Sequence, residues 1–430
     1  MTLRIATLGA AYSANKGAAS MVQALVDQLP ARLDDVEIDV LSTYPGPDAD
    51  ALARARSPAR AVSLRAPELA IVVVPLALVA GVLRLAGLPW GWLCRPPALA
   101  SLRRADLVVD VSGISYSDSR HVTFGVYGFL LNLVPWLLGR PQVKASQAMG
   151  PFRHPVNRVL SRVALPRIEA IVSRGAQTAG HLDRFGIAHT PADDLAFLMA
   201  VPDSATARAA ELLPDGDRPW IGIAPSAVVD GFCVANDIDY VGELAAFVDR
   251  LVDAGEHRVA LFAHSTSTAP LPTRLDDRPV CQAVLDRVSD PDRVTFVDLD
   301  LLPTELRAVI ARCDLLVTSR FHAMVSALAV VTPVVVVGWS HKYGEVLDRF
   351  GQGDVVIDYA DLTAAGIAER VERVRDEHRE RTDAIAAGLP AVVASASRNL
   401  DEIERVLAAT SQTRRPPPTT PDAPAQERTP

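Results

Sequence analysis

The chain has 430 residues, enough for two domains of about 200 residues each. With 49% hydrophobic, 22% charged and 5% aromatic residues, it has the composition of an ordinary globular protein, which excludes disordered, collagen-like and fibrous classes. Its formal net charge of -8 argues against general binding of a phosphate backbone, so no nucleic-acid partner is expected; a local basic pocket remains compatible with it.

The N-terminal run Arg4 to Gly9 is short and apolar and lacks the charged start and long apolar core of a signal peptide, so it reads as a buried strand. Gly17 to Leu29 follows with Met21, Leu25, Val26 and Leu29 at helical spacing. Val36–Ser42 and Ala105–Ser112 read as further strands, the second ending in the small turn Ser112-Gly113. Strands alternating with helices point to a parallel α/β sheet.

Two apolar segments interrupt this rhythm, 69–94 and 122–138. A membrane span is disfavoured in the first by Arg84, since a central arginine costs about 2.5–3.5 kcal/mol on insertion scales. The remaining readings are core helices of a large sheet domain, or a surface hairpin that rests on an anionic leaflet with the help of Arg95, Arg103 and Arg104. A strand at Ile168–Arg174 and a helix to about Phe185 complete the first half.

The polar stretch Leu213 to Pro219 reads as a domain boundary. Beyond it, strands are expected at Trp220–Ala224, Arg258–Ala263, Val294–Val297, Leu315–Thr318 and Val334–Gly338, with helices near Val241–Ala254, Gln282–Val288, Glu305–Cys313 and His322–Val330. The expected division is therefore 1–213, 214–410 and a Pro-rich disordered tail at 411–430. The fold expected is α/β, two Rossmann-like domains facing a cleft, and such a cleft is where a ligand binds. Cys94, Cys233, Cys281 and Cys313 show no paired spacing, so neither a zinc site nor a disulfide framework is expected, in keeping with a reducing cytoplasm.

The most informative stretch runs from Asp314 to Gly338, a strand, a turn, a short helix and another strand. With Ser319 as N-cap, Arg320 and His322 fall in the first helical turn, where free amides and the positive dipole end favour an anion and a guanidinium adds bidentate contact. The alternative is that Arg320 pairs with a structural carboxylate and His322 merely caps. Lys342, beside His341 at the next strand end, is placed to neutralise a second anionic group, and His264 ends another strand at the same edge.

In the first half, Asn15-Lys-Gly17 lies in a glycine-containing loop between strand and helix. It matches neither G-x-G-x-x-G nor a P-loop, so dinucleotide and NTPase readings fail on spacing. Arg174 ends a strand and is a candidate partner of Arg320 in an anion clamp. Asp193 and Asp194 supply two carboxylates, either of which could equally cap a turn.

In order and kind, Asn15-Lys-Gly17, Val111-Ser-Gly113, Ser173-Arg174, Asp194-Leu-Ala-Phe197, Ser319-Arg-Phe-His-Ala323, Pro333 and Lys342 resemble the polysaccharide pyruvyl transferase family, over roughly Arg4 to Gly351. Ala18, the single glycine of Val111-Ser-Gly113 and Gly175 depart from the family's usual pattern. The resemblance implies a GT-B-like fold and transfer of a pyruvyl group from phosphoenolpyruvate to a sugar of a glycan or lipid-linked glycan precursor, forming a cyclic ketal.

On that scheme Arg320, Lys342 and Arg174 bind charge, His322 or His264 moves protons, and Asn15, Gly17, Asp194 and Ser319 contact substrates. No cofactor or metal is required. The protein is then expected to be cytoplasmic, with peripheral contact at the inner membrane face. A GT-B glycosyltransferase using a nucleotide-sugar and a catalytically silent glycan-binding relative are the other readings.

Overall fold

A computed structural model describes residues 2–266, 275–339 and 342–414. In the first domain, β1 (Leu3–Leu8), β2 (Val36–Ser42), β3 (Arg60–Ser63), β4 (Leu107–Asp110), β5 (Ile114–Ser117), β6 (Gln142–Gly150), β7 (Ala170–Ser173) and β8 (Thr190–Pro191) form a parallel sheet. Its order is β3-β2-β1-β4-β6-β7-β8, with β5 beside β6. In the second, β9 (Trp220–Ala224), β10 (Arg258–Phe262), β11 (Val294–Val297), β12 (Cys313–Thr318), β13 (Val334–Gly338) and β14 (Val356–Asp358) follow the order β11-β10-β9-β12-β13-β14, again parallel. Both sheets carry apolar runs such as Val334 to Val337 because helices cover both faces, so neither face needs polar residues.

The expected strands are present: Val36–Ser42, Trp220–Ala224, Val294–Val297 and Val334–Gly338 match to the residue, and the others differ by at most two residues at an end. The strand the sequence reading missed in the middle of the first sheet is β6, whose residues are all buried although Gln142, Lys144, Ser146 and Gln147 are polar. The reason is a network no local pattern reveals. The Lys144 ammonium pairs with the Asp110 carboxylate, and Gln147 Nε2 donates to both the backbone carbonyl and Oδ1 of Asp110 at 2.8 Å. Breaking such a buried pair from one side typically costs about 3–5 kcal/mol.

The helices that matter for function are α1 (Lys16–Arg32), α2 (Ala66–Leu85, with a π-helical turn at Leu69–Val73), α3 (Val122–Leu137), α4 (Pro155–Ala164), α5 (Ala227–Val234), α6 (Phe321–Ala329), α7 (Lys342–Leu347) and α8 (His378–Arg414). The two apolar segments become α2 and α3, packed side by side over the first sheet through Val73, Ala77, Ala80, Leu131 and Val134. A second stripe of α2 stays in solvent, so this helix is half core and half surface.

The domains are joined by more than the boundary stretch. The fully buried Lys16 Nζ, on α1, reaches Asp300 Oδ1 of the second domain at 2.7 Å and the carbonyl of Ser13 at 2.9 Å. Arg307, also buried, donates to the carbonyls of Ala196 and Met199. The long α8 leaves the second domain and returns to the first sheet, where Asn399 Oδ1 accepts the Ser146 amide at 2.7 Å and Asp401 and Glu404 pair with Arg32. The expected division at 214–410 therefore does not hold for this helix. The expected tail is corrected as well: residues 411–414 are helical, and 415–430 lie outside the described residues.

Candidate functional site

In each sheet the strand order reverses at one point, between β1 and β4 in the first and between β9 and β12 in the second. The carboxyl ends of strands flanking such a point leave a crevice because successive crossovers run to opposite faces. Here the two crevices face each other. Gly9 and the Asn15–Ala18 turn follow β1, Ser112-Gly113 follows β4, Ser226 follows β9, and Ser319 to His322 follow β12; together they line one cavity of about 380 Å³.

Three helix N-termini meet this cavity. Asn15 caps α1, its Oδ1 accepting from the amides of Gly17 and Ala18 at 3.1 and 3.4 Å; Ser226 caps α5; and α6 starts at Phe321. The cap explains the Asn-x-Gly spacing, and it also means these two amides serve the helix rather than a ligand. At α6 the expectation is corrected: the N-cap is Arg320, not Ser319. The Ser319 hydroxyl bonds Tyr240 Oη at 2.7 Å, so it is engaged with the second domain's core.

Arg320 is held by a buried carboxylate that the sequence reading did not assign. Its Nε donates to Asp277 Oδ2 at 2.8 Å and its Nη2 to Oδ1, a two-point pairing that fixes the guanidinium plane. Asp277 is itself anchored by the amides of Ala227 and Ser265, both at 2.9 Å. The structural pairing and the site position thus coexist: Asp277 holds Arg320 from behind while the arginine lines the cavity.

Opposite, Arg174 Nη1 donates to Asp194 Oδ2 and Nη2 to the carbonyl of Gly113 at 3.0 Å, and its guanidinium sits 4.8 Å over the Phe321 ring. Asp194 also caps a short turn through the Ala196 amide at 2.9 Å, so the two roles weighed for it are both filled. His322 Nε2 lies 3.5 Å from Asp194 Oδ2, at ion-pair distance, with no hydrogen-bond partner among the described residues. Burial alone would raise the Asp194 carboxyl, but Arg174 and His322 hold it well below the usual carboxylate range. Asp194 therefore links an arginine and a histidine from different domains.

The His264 imidazole, at the end of β10, is pushed far down by burial, with Arg320, Lys16 and Arg307 nearby acting the same way, so it is neutral near pH 7. Lys342 opens α7 beside Trp339, 5.6 Å from the ring. Burial, with Arg174 and Arg120 alongside, pushes its ammonium down to about 7. His341 lies outside the described residues. An open cleft of about 810 Å³ adjoins the cavity, shares Trp339, Lys342 and Ser117 with it, and continues past Arg153 and His181.

Of the residues singled out from sequence, Asn15, Gly17, Arg174, His264, Ser319, Arg320, His322 and Lys342 all line the one cavity, and Asp194 stands directly behind it. Arg120, Tyr127, Trp339 and Tyr343 also line it without having been found. Arg120 lies in a turn and Tyr127 and Tyr343 on helix faces, where sequence gives no signal, whereas Trp339 directly follows β13 and its strand-end position could have flagged it. Among the described lining residues there are three arginines, one lysine and two histidines and no Asp or Glu, in a chain of net charge -8. The departure at Gly175 has a local cause. Its φ is +82°, and a Cβ there would stand 2.3 Å from Glu345 Oε2, so no aspartate fits.

The family model described as polysaccharide pyruvyl transferase matches residues 15–341. The amylovoran biosynthesis protein AmsJ of Erwinia amylovora is 22% identical over 402 residues, 89% of this chain and 95% of that protein. Among solved structures, the S. aureus MnaA-UDP co-structure superposes with a TM-score of 0.59 at 14% identity, covering 95% of this chain and 97% of that one. UDP-GlcNAc 2-epimerase from Neisseria meningitidis bound to UDP-GlcNAc gives 0.59 at 10% identity, covering 94% and 99%. These likenesses show the fold, two parallel-sheet α/β domains of the GT-B type, as expected from the sequence.

Proposed function

The chain belongs to the polysaccharide pyruvyl transferase family, and on that premise we propose that it transfers a pyruvyl group from phosphoenolpyruvate to two hydroxyls of a sugar in a glycan or glycan precursor. The observation that carries this reading is the cavity of about 380 Å³, rich in fixed cations and free of carboxylates among its described lining residues. A trianionic enol phosphate needs such a lining, because charges held by buried partners cost no reorganisation when the ligand arrives. The relative AmsJ is named for amylovoran biosynthesis, which supports a role in making a glycan.

The chemistry has three demands. The methylene carbon of the donor must gain a proton, its neighbour must accept two sugar oxygens, and the bond from that carbon to the phosphate oxygen must break. Of the two protons the hydroxyls give up, one ends on the new methyl group and one on the departing phosphate. His322, backed by Asp194, is assigned the proton transfer to the methylene carbon, and the neutral His264 accepts a proton from an attacking hydroxyl. Arg320, Arg174 and Lys342 hold the carboxylate and phosphate, and the adjoining cleft of about 810 Å³ takes the acceptor sugar.

The test is thermal stability of the purified protein titrated with phosphoenolpyruvate, in parallel with uridine and guanosine diphosphate-sugars. Stabilisation by phosphoenolpyruvate is expected, followed by phosphate release when a vicinal or 4,6-diol glycan is added. Stabilisation by a nucleotide-sugar alone would replace this reading with glycosyl transfer.

A further inference from the structure

The surface formed by α2, α3 and α4 combines two properties. The first is an exposed apolar face. On α2, Ile71, Leu78, Val82 and Leu85 form one stripe, opposite the buried Val73, Ala77 and Ala80; Ile71 is 75%, Val82 66% and Leu85 79% exposed. Trp92 follows at 60%, and on α4 the stripe Val156, Val159 and Val163 is likewise in solvent. The three helices lie side by side, α3 touching both others.

The second property is charge. Residues 69–105 contain four arginines and no Asp or Glu, and residues 119–168 contain six arginines, one lysine and no Asp or Glu. The rest of the chain must then carry every one of its 51 acidic residues. Arg153, Arg158, Arg162 and Arg167 are exposed along α4, and Arg167 lies over the exposed Trp136 of α3. An apolar stripe with tryptophans at its margin and arginines around it matches a bilayer carrying anionic headgroups. A protein partner would be equally served by apolar contact but gives no reason to exclude carboxylates over such lengths.

Although α2 is long and apolar enough to cross a membrane, its packing holds it on the domain. Before it, the Leu64 amide donates to the Ser42 carbonyl at 2.8 Å, and at its other end Arg84 Nε donates to the Leu137 carbonyl at 3.1 Å. One end is thus tied to β2 and the other to the end of α3, and a span would have to break both bonds. The helix lies on the surface.

The face is continuous with the site. Arg120, Phe124, Tyr127 and Leu131 of α3 and the turn before it line the cavity, and Phe124 is also exposed on the outer face. We propose that α2, α3 and α4 seat the protein on an anionic bilayer, so that the acceptor reaches the cavity while still attached to a membrane lipid. The clause about the acceptor rests on the function proposed above; the docking does not.

The experiment is flotation of the full chain, without substrates, on vesicles of phosphatidylcholine alone and of phosphatidylcholine with phosphatidylglycerol. Binding to the anionic vesicles is expected, weakened by 1 M salt. It should fall on the order of tenfold or more in Ile71→Ser/Val82→Ser/Leu85→Ser, and similarly in Arg158→Glu/Arg162→Glu. These positions are exposed, so circular dichroism and melting temperature should match the parent. Absence of binding to either vesicle overturns the proposal. So does a stable dimer that the same substitutions convert to monomer, since a second copy would then cover the face. Vesicle binding in a protein that phosphoenolpyruvate fails to stabilise would keep the docking and remove the reaction, so the two readings fail separately.

Discussion

Gly17 of the first domain lies against the His322 ring of the second, so closely that a Cβ on Gly17 would stand 2.3 Å from Nδ1 and 2.9 Å from the histidine's own Cβ. The backbone of one domain is thereby the wall that positions the candidate acid of the other. Within a helix, alanine is ordinarily favoured over glycine by about 1 kcal/mol. Gly17→Ala should therefore leave the first domain folded while displacing His322, and kcat/KM for pyruvyl transfer should drop on the order of 100-fold. Steady-state kinetics beside a melting curve checks this; full activity would remove His322 from the reaction.

Arg320 and Asp277 are a buried pair, and this changes what the simplest substitution reports. Arg320→Ala leaves Asp277 buried without its cation, a loss of about 3–5 kcal/mol on top of any loss of donor binding. The double variant Arg320→Ala/Asp277→Asn should recover part of that stability, because a neutral amide needs no cation and its oxygen can still accept one of the two buried amides that Asp277 holds. It should still not be stabilised by phosphoenolpyruvate, because the anion contact is gone. Calorimetric melting of parent, single and double variants with and without the donor separates the two effects, and donor stabilisation of the double variant would show that Arg320 is structural only.

Lys342 supplies a pH signature. Its ammonium is lowered to about 7 by burial beside Arg174 and Arg120, whereas an unfolded lysine titrates near pH 10.4. Between those values the unfolded chain binds the extra proton, so this group's penalty is present in full below about pH 7 and is relieved as pH rises through the window. Donor affinity runs the other way, since the anion needs the charged form. KM for phosphoenolpyruvate should rise by up to about tenfold per unit above pH 7, and Lys342→Arg, which stays charged, should keep only the donor's own titration. Identical profiles for parent and variant would take Lys342 out of the donor site.

The sequence alone determined the alternation of strands and helices, and with it two parallel sheets and the carboxyl edges where a ligand binds. Those features follow from local periodicity, as in Val334 to Val337 or Met21 to Leu29, and from crossovers that leave a crevice at the switch of strand order. Arg320, His322, Arg174 and Lys342 were legible for the same reason: each stands at or just past a strand end. Tertiary structure decided what those residues are bound to. Asp277 lies 43 positions from Arg320, Asp194 reaches a histidine of the other domain, and Gly17 meets His322 from the far half of the chain. It also decided the fate of polar and apolar runs that a window of neighbours misreads. The strand carrying Lys144 is buried because Asp110 neutralises it across the sheet, and α2 keeps one stripe in solvent because α3 and the sheet below can cover only the other. Pairing over such separations depends on three-dimensional proximity, which no local pattern encodes.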